Sequence, residues 1–223
     1  MLLAWTVGSL LQLASSFHDP TVAREARARA LPALQALYET IETPPVLTVP
    51  VYALATVDEA GETNMNIVTY ATPVGIRPQR KWSISLFRKT QSADNFLRAR
   101  TGVLQLLCKE HAPLVYLLGG QSARDVDKRQ GCADLGFEWS SSDGHGAERL
   151  LPGCASYLRL SMEGEAQDAG DHAVALCRLE EIFAAAGGTS SHMLLTDFLR
   201  AEGIITDKGR AVAPEESEIS ESP

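Results

Sequence analysis

Two strand-forming runs set five residues apart constrain the fold of this chain more than any other feature. Residues 51–57 (VYALATV) and 63–72 (TNMNIVTYAT) flank Asp58-Glu59-Ala60-Gly61-Glu62, a stretch with turn chemistry. So short a connection joins antiparallel neighbours, and the two runs are expected to pair as a hairpin. Within the second run Met65, Ile67 and Ala71 share one face of an extended chain, which is taken as the core face. The run also carries Asn66, Thr69, Tyr70 and Thr72, more hydrogen-bonding groups than packing needs. Either this strand is a wet edge or something flat and polar lies on it.

The same alternation recurs along the chain. Residues 46–57 open the sheet, with Pro50 suited to an edge or a bulge. KWSISLF (81–87) follows corners at Pro73 and Pro78, and VLQLLC (103–108) reads as a buried strand. ASYLRLSMEGEA (155–166) and HAVALCRLEEIF (172–183) flank the turn QDAGD. Helical pieces intervene at TQSADNFLRARTG (90–102), HAPLVYLLGG (111–120), SARDVDKRQGCADLG (122–136) and SHMLLTDFLRAEG (191–203), whereas SSSDGHG (140–146) is a loop. About six antiparallel strands with short helices predict a mainly β fold, a small barrel with helical decoration. There is no repeating βαβ unit, no GxGxxG after a strand and no GxxxxGK[ST], so neither a Rossmann nor a P-loop nucleotide site is expected.

The ends differ in composition. Residues 1–45 hold apolar residues at helical spacing (Leu3, Val7, Leu10, Leu11, Ala14, Phe17), then an Asp19-Pro20 helix start, and are read as a helical N-terminal extension. Residues 46–185 form the β domain, 186–208 a C-terminal helical segment, and 209–223 an acidic, disordered tail. The apolar N-terminus lacks a basic start and is too short and polar to span a membrane, so no membrane association is expected. The cytoplasm is the expected compartment, with Arg24, Arg27 and Arg29 keeping an organelle open. A net charge of −8 argues against a nucleic-acid partner, which needs a basic footprint. Cys108, Cys132, Cys154 and Cys177 are too scattered for zinc or a disulfide framework and are read as buried thiols. His18, His111, His145 and His192 show no metal-type spacing, and no metal site is expected.

Three stretches carry candidate chemistry. Along residues 64–74, small and hydroxyl residues (Thr69, Ala71, Thr72) permit close approach of an aromatic heterocycle, although a solvated edge strand explains them equally. In SLFRKTQSADN a strand ends where a helix begins, and Lys89, Thr90, Ser92 and Asn95 sit where a helix N-terminus attracts a phosphate; a plain N-cap is the alternative. In Gly170-Asp171-His172 a histidine follows a turn, placed to contact a ligand or merely incidental.

In this order NMNIVTYATPVGIRP, SLFRKTQSADNF, GVLQLLCKEHAPLVYLLGGQSARDVDKR, LGFEW and AGDHAVALCRLEEI resemble the flavin reductase-like family, whose domain is an FMN-binding split barrel. The resemblance covers residues 46 to about 184. It implies FMN lying beside Asn66, Thr69, Tyr70, Ala71 and Thr72 and against Ser85, Leu86 and Phe87. Its phosphate would meet Lys89, Thr90, Ser92 and Asn95. His172 would lie on the flavin or nicotinamide side as the catalytic or proton-managing group. Hydride would pass from NADH or NADPH to the flavin, a homodimer would share the sites, and an acceptor protein is a further partner the resemblance allows. A non-reductase flavin- or haem-binding split-barrel protein, with His172 or His192 as haem ligand, is the alternative. Arg124, Asp125, Asp127 and Lys128 match the family's SxRDVDK stretch and are read as structural ion pairs; Ala123 and Phe87-Arg88 depart from its pattern.

Overall fold

The computed structural model describes residues 40–184 and 192–214. The expected N-terminal helices before residue 40 and the tail beyond 214 lie outside the described residues. The chain divides into a unit of residues 1–45, of which 40–45 are irregular, and a unit of residues 46–223 that carries the sheet.

Nine strands alternate with short helices: β1 (Tyr52–Val57), β2 (Thr63–Val68), β3 (Ala71–Gly75), β4 (Lys81–Phe87), α1 (Gln91–Ala99), β5 (Thr101–Leu106), a π-turn at Tyr116–Gly120, α2 (Lys128–Asp134), the two-residue strands β6 (Ser140–Ser141) and β7 (Arg149–Leu150), β8 (Ser156–Ala169), β9 (His172–Phe183) and α3 (Thr196–Ala201). Seven of them form one antiparallel sheet in the order β2-β1-β5-β8-β9-β4-β3. The first and last strands of that order are joined by Thr69 and Tyr70 alone. Laid flat, six spacings of about 4.8 Å would separate them by roughly 29 Å. Three residue steps reach about 11 Å. The sheet therefore rolls into a barrel that is split between β2 and β3.

The expected hairpin is present, with Tyr52 opposite Val68 and Val57 opposite Thr63. The second run is not one strand, however. It breaks after Val68, and the chain leaves one edge of the sheet to start the other edge at Ala71. Tyr70 is already in register with β4, since the Ser85 N–H donates to its carbonyl at 2.8 Å. Pro73 sits on β3, which pairs only with β4.

Alternate residues of β1 and β5 enter two different cores, so both strands are apolar on both faces. Tyr52, Leu54, Leu104, Leu158, Leu160, Ile84, Leu86 and Ala175 fill the barrel, which α1 plugs with Ala93 and Phe96. Val51, Ala53, Val103, Leu107, Leu114, Leu118, Leu151 and Leu194 form the outer core beneath the π-turn, α2 and α3. The outer faces of β3, β4 and β9 carry Thr72, Phe87 and Leu176 exposed, with no element among the described residues packed over them as on β1 and β5.

Three local expectations need correction. The late helix is only Thr196–Ala201, because residues 193–195 are extended: Leu194 donates to Leu107 O and accepts from Val51 N–H, filling a backbone row that a helix cannot serve. Residues 209–212, grouped by composition with the tail, fold back so that Val212 N–H donates to Ile204 O and Ala211 bridges Ile205. The SSSDGHG loop begins in the small β6–β7 hairpin. The four cysteines are buried and form no disulfide, and burial pushes Cys132 up to about 11 and Cys177 up to about 12. No described helix is long and apolar enough to cross a membrane.

In the SxRDVDK stretch, Arg124 pairs with Asp94 at 3.1 Å, while the Asp127 carboxylate caps α2 by accepting from Gln130 N–H. Lys128 makes no ion pair among the described residues. Its buried ammonium donates to Leu118 O at 2.7 Å and Met65 O at 3.1 Å, pinning the π-turn and α2 to β2. Burial lowers its pKa to about 8, and a neutral amine still has the two protons these carbonyls need. The native pKa thus lies below the unfolded one near 10.5, so between the two the unfolded chain binds more protons and stability rises with pH. Relative to Lys128→Met, the wild type should gain up to about 3 kcal/mol between pH 7 and pH 10.5 in urea unfolding. A flat difference would show that Lys128 is charged throughout.

Gly102 is the second residue of β5, where α1 meets the barrel. A β-carbon there would stand 2.9 Å from Ala55 O and 3.1 Å from Phe96 Cδ2. The carbonyl belongs to the sheet and cannot withdraw. Gly102→Ala should cost about 1–3 kcal/mol, read from the urea midpoint.

Candidate functional site

The outward side of β3, β4 and β9 gathers about half of the candidate residues. On β3 and β4 side chains alternate, so Ile84 and Leu86 fill the barrel while Ser83, Ser85 and Phe87 face outward. Thr72 lies opposite Ser83, and Ser85 opposite Val174. Leu86, an expected contact, therefore offers a ligand only its backbone. Since Tyr70 and Thr72 point their backbone groups at β4, the N–H and C=O of Ala71 fall on the free edge of β3.

His172 closes this strip at one end. Strands β8 and β9 meet through Gly170-Asp171, with Ala169 opposite His172 and Gly170 at φ 75°, a two-residue turn that has glycine in its first central position. His172 is then in register with Phe87 across β4. Its ring lies 5.5 Å from the Phe87 ring and 5.6 Å from that of Tyr70, which is 65% exposed. Nδ1 of His172 is 2.7 Å from Oδ1 of Asp171. A carboxylate only accepts, so Nδ1 carries the proton and Nε2 is the ring nitrogen left for another partner. The same hydrogen bond holds the Asp171 carboxyl below the usual carboxylate range.

The strand-to-helix corner follows directly. Thr90 is the N-cap of α1: its hydroxyl donates to Phe87 O at 2.9 Å and accepts from Ala93 N–H at 3.2 Å. Its side chain is thus committed to the helix. Ser92 and Asn95 are turned inward. Asn64 Nδ2 donates to Ser92 Oγ at 2.9 Å, and Asn95 Nδ2 donates to Thr56 Oγ1 at 3.4 Å. Lys89 is exposed, and the first-turn N–H groups of Gln91 and Ser92 have no partner among the described residues. The corner therefore offers an anion one cation and main-chain donors more readily than three hydroxyl or amide side chains. Asn66, on β2, spends its side-chain amide on Ile67 O at 3.3 Å and lies across the split from β3. Thr69, half-buried, lies on the link itself.

Sequence reasoning missed Arg88 and Asp168. Arg88 Nη2 is 3.1 Å from Asp168 Oδ1, its Nε donates to Gly170 O at 3.2 Å, and its backbone N–H donates to Asp171 O at 3.0 Å. Arg88 stood out only as part of the Phe87-Arg88 departure from the family's pattern, without a role, and Asp168 only as part of the QDAGD turn. His192, the other histidine considered for a ligand, is on the segment paired with Lys109, beyond the opposite end of β9 from His172.

Ser92 and Asn64 are both buried, so removing the hydroxyl strands an amide donor. Ser92→Ala should lower stability by about 1–3 kcal/mol in urea unfolding without any ligand present. An unchanged midpoint would show that Asn64 has another acceptor.

A family model described as flavin reductase like domain matches residues 46–198. Among solved structures, the chain is similar to an FMN-binding protein from Thermus thermophilus with bound p-hydroxybenzaldehyde, at 20% identity over 71% of this chain and 89% of that one, TM-score 0.57. Flavoredoxin of Desulfovibrio vulgaris (Miyazaki F) matches at 12% identity over 78% and 82%, TM-score 0.56. The NADH:FAD oxidoreductase of Streptomyces globisporus C-1027 matches at 13% identity over 75% and 88%, TM-score 0.56. At these identities the likeness to solved structures is one of fold. No curated protein matches.

Proposed function

The chain belongs to the flavin reductase like family, and we propose that it binds FMN on the outward strip of β3, β4 and β9 and passes hydride to it from NADH or NADPH. The observation that carries this reading is the convergence of Tyr70, Phe87 and His172 on one end of a small-residue strip beside a helix start. The residues present fit the cofactor. Thr72, Ser83 and Ser85 leave a low surface beside the free Ala71 amide and carbonyl, which suits the hydrogen-bonding edge of a planar heterocycle. Lys89 and the N–H groups of Gln91 and Ser92 suit its phosphate.

When bound, FMN supplies the two-electron acceptor. The chain would supply position: the β3 edge would hold the ring, the aromatic pair Tyr70 and Phe87 would wall off water, and His172 would present Nε2 while Asp171 fixes its tautomer. No nucleophile is required. The exposed apolar residues Tyr70, Val74, Phe87 and Leu176 form a border that a second copy of the chain would cover in a homodimer sharing its sites. The flavin, once reduced, would pass electrons to an acceptor, whether protein or small molecule.

Purified protein loaded with FMN under anaerobic conditions should lose its oxidised-flavin absorbance on addition of NADH or NADPH faster than free FMN does. His172→Ala should slow that loss about tenfold or more. A bound flavin that stays oxidised with both donors would overturn hydride transfer and leave a flavin-binding protein without reductase turnover; failure to retain flavin would overturn the cofactor.

A further inference from the structure

We infer that Arg88 is a positioning residue, which clamps the β8–β9 turn against the strand-to-helix corner and so sets His172 between Tyr70 and Phe87. The role deepens the proposed function and rests on it for its catalytic consequence, although the clamp itself does not.

The geometry is specific. The guanidinium spans both sides of the turn, with Nη2 on the Asp168 carboxylate and Nε on the Gly170 carbonyl, while the Arg88 main chain takes the Asp171 carbonyl. Asp168 Oδ1 also accepts from Gly170 N–H at 2.9 Å, so one carboxylate oxygen ties the turn to itself and to Arg88. Both partners are exposed, and an exposed ion pair adds little to global stability. Its worth is orientation. His172 is the first residue after the turn, and beyond Phe87, its opposite number, β4 gives way to Arg88. His172 is the last position of β9 in register with both Ala169 on β8 and Phe87 on β4, and past it the turn has no strand neighbour on β4. Without the side chain of Arg88, one main-chain hydrogen bond is left between turn and corner among the described residues. Lysine does not replace it, because a single ammonium on a flexible stem lacks the fork that reaches a carboxylate and a carbonyl together.

The test uses the full chain and two readouts. The first is the Hε1 resonance of His172, which feels the ring currents of Tyr70 and Phe87 and needs no flavin. In Arg88→Ala it should move towards the position of a free histidine, and in Arg88→Lys it should move most of the way. The second is the anaerobic reduction of bound FMN by NADH and NADPH. The limiting rate should fall about tenfold in Arg88→Ala while FMN affinity changes less than about threefold, the split expected of misorientation rather than lost binding. Asp168→Asn, which retains an oxygen for Gly170 N–H, should give a smaller fall, and the double variant should be no slower than Arg88→Ala. Should Arg88→Ala fail to fold, Asp168→Asn carries both readouts. A His172 resonance unmoved in Arg88→Ala and Asp168→Asn overturns the clamp. If the wild-type flavin is not reduced by either donor, the reductase reading falls, and the resonance alone decides the clamp.

Discussion

Everything on the functional side of this protein depends on a two-residue link. Thr69 and Tyr70 must carry the chain from one margin of a seven-stranded sheet to the other, and that is possible only if the sheet is rolled. Rolling decides the rest. It gives the sheet an inside, which α1 fills, and an outside, half of which the π-turn, α2 and α3 cover. Among the described residues the other half is left facing outward, and the link delivers Tyr70 to its rim. The candidate site is thus a by-product of closure, lying where the described covering elements stop.

Polar groups buried near α1 show how the barrel and the corner are tied together. Asn64 and Thr56, on β2 and β1, reach Ser92 and Asn95 on α1, so the helix is held by hydrogen bonds as well as by Phe96. A low-dielectric setting makes such bonds directional, and their loss costly. They fix the rotation of α1 about its axis, and with it the direction in which its first-turn N–H groups point.

Much of the fold was legible because it follows from local chemistry. The Asp58–Glu62 turn, the Gly170-Asp171 turn and the two-faced apolar run of β1 each name their own structure. Of the strip, Tyr70 and Thr72 were legible as polar groups in excess of packing, Ser85 and Phe87 came with the family resemblance, and Ser83 was not singled out. What escaped was long-range. The break at Thr69 looks like continuous strand because Thr, Tyr and Ala suit a strand on either margin, and only the topology says which. Ser92 and Asn95 looked like ligands to an anion because their partners, Asn64 and Thr56, are 28 and 39 residues away. The role of Arg88 escaped for the same reason, its partners lying some eighty residues away, at the end of β8 and on the turn after it. Lys128 was misread as an ion-pair partner, since sequence shows its acidic neighbours and not the carbonyls above it.

The placing of Pro73 has a consequence for self-association. It shares the parity of Ala71, so the N–H it lacks is missing from the free margin of β3 and not from the ladder with β4. A strand arriving from another molecule needs a regular row of donors and acceptors, and here the row is broken after one residue and then distorted by the irregularity between Pro73 and Gly75. The margin therefore offers a single amide and carbonyl to something small, and nothing on which a growing fibril can be templated.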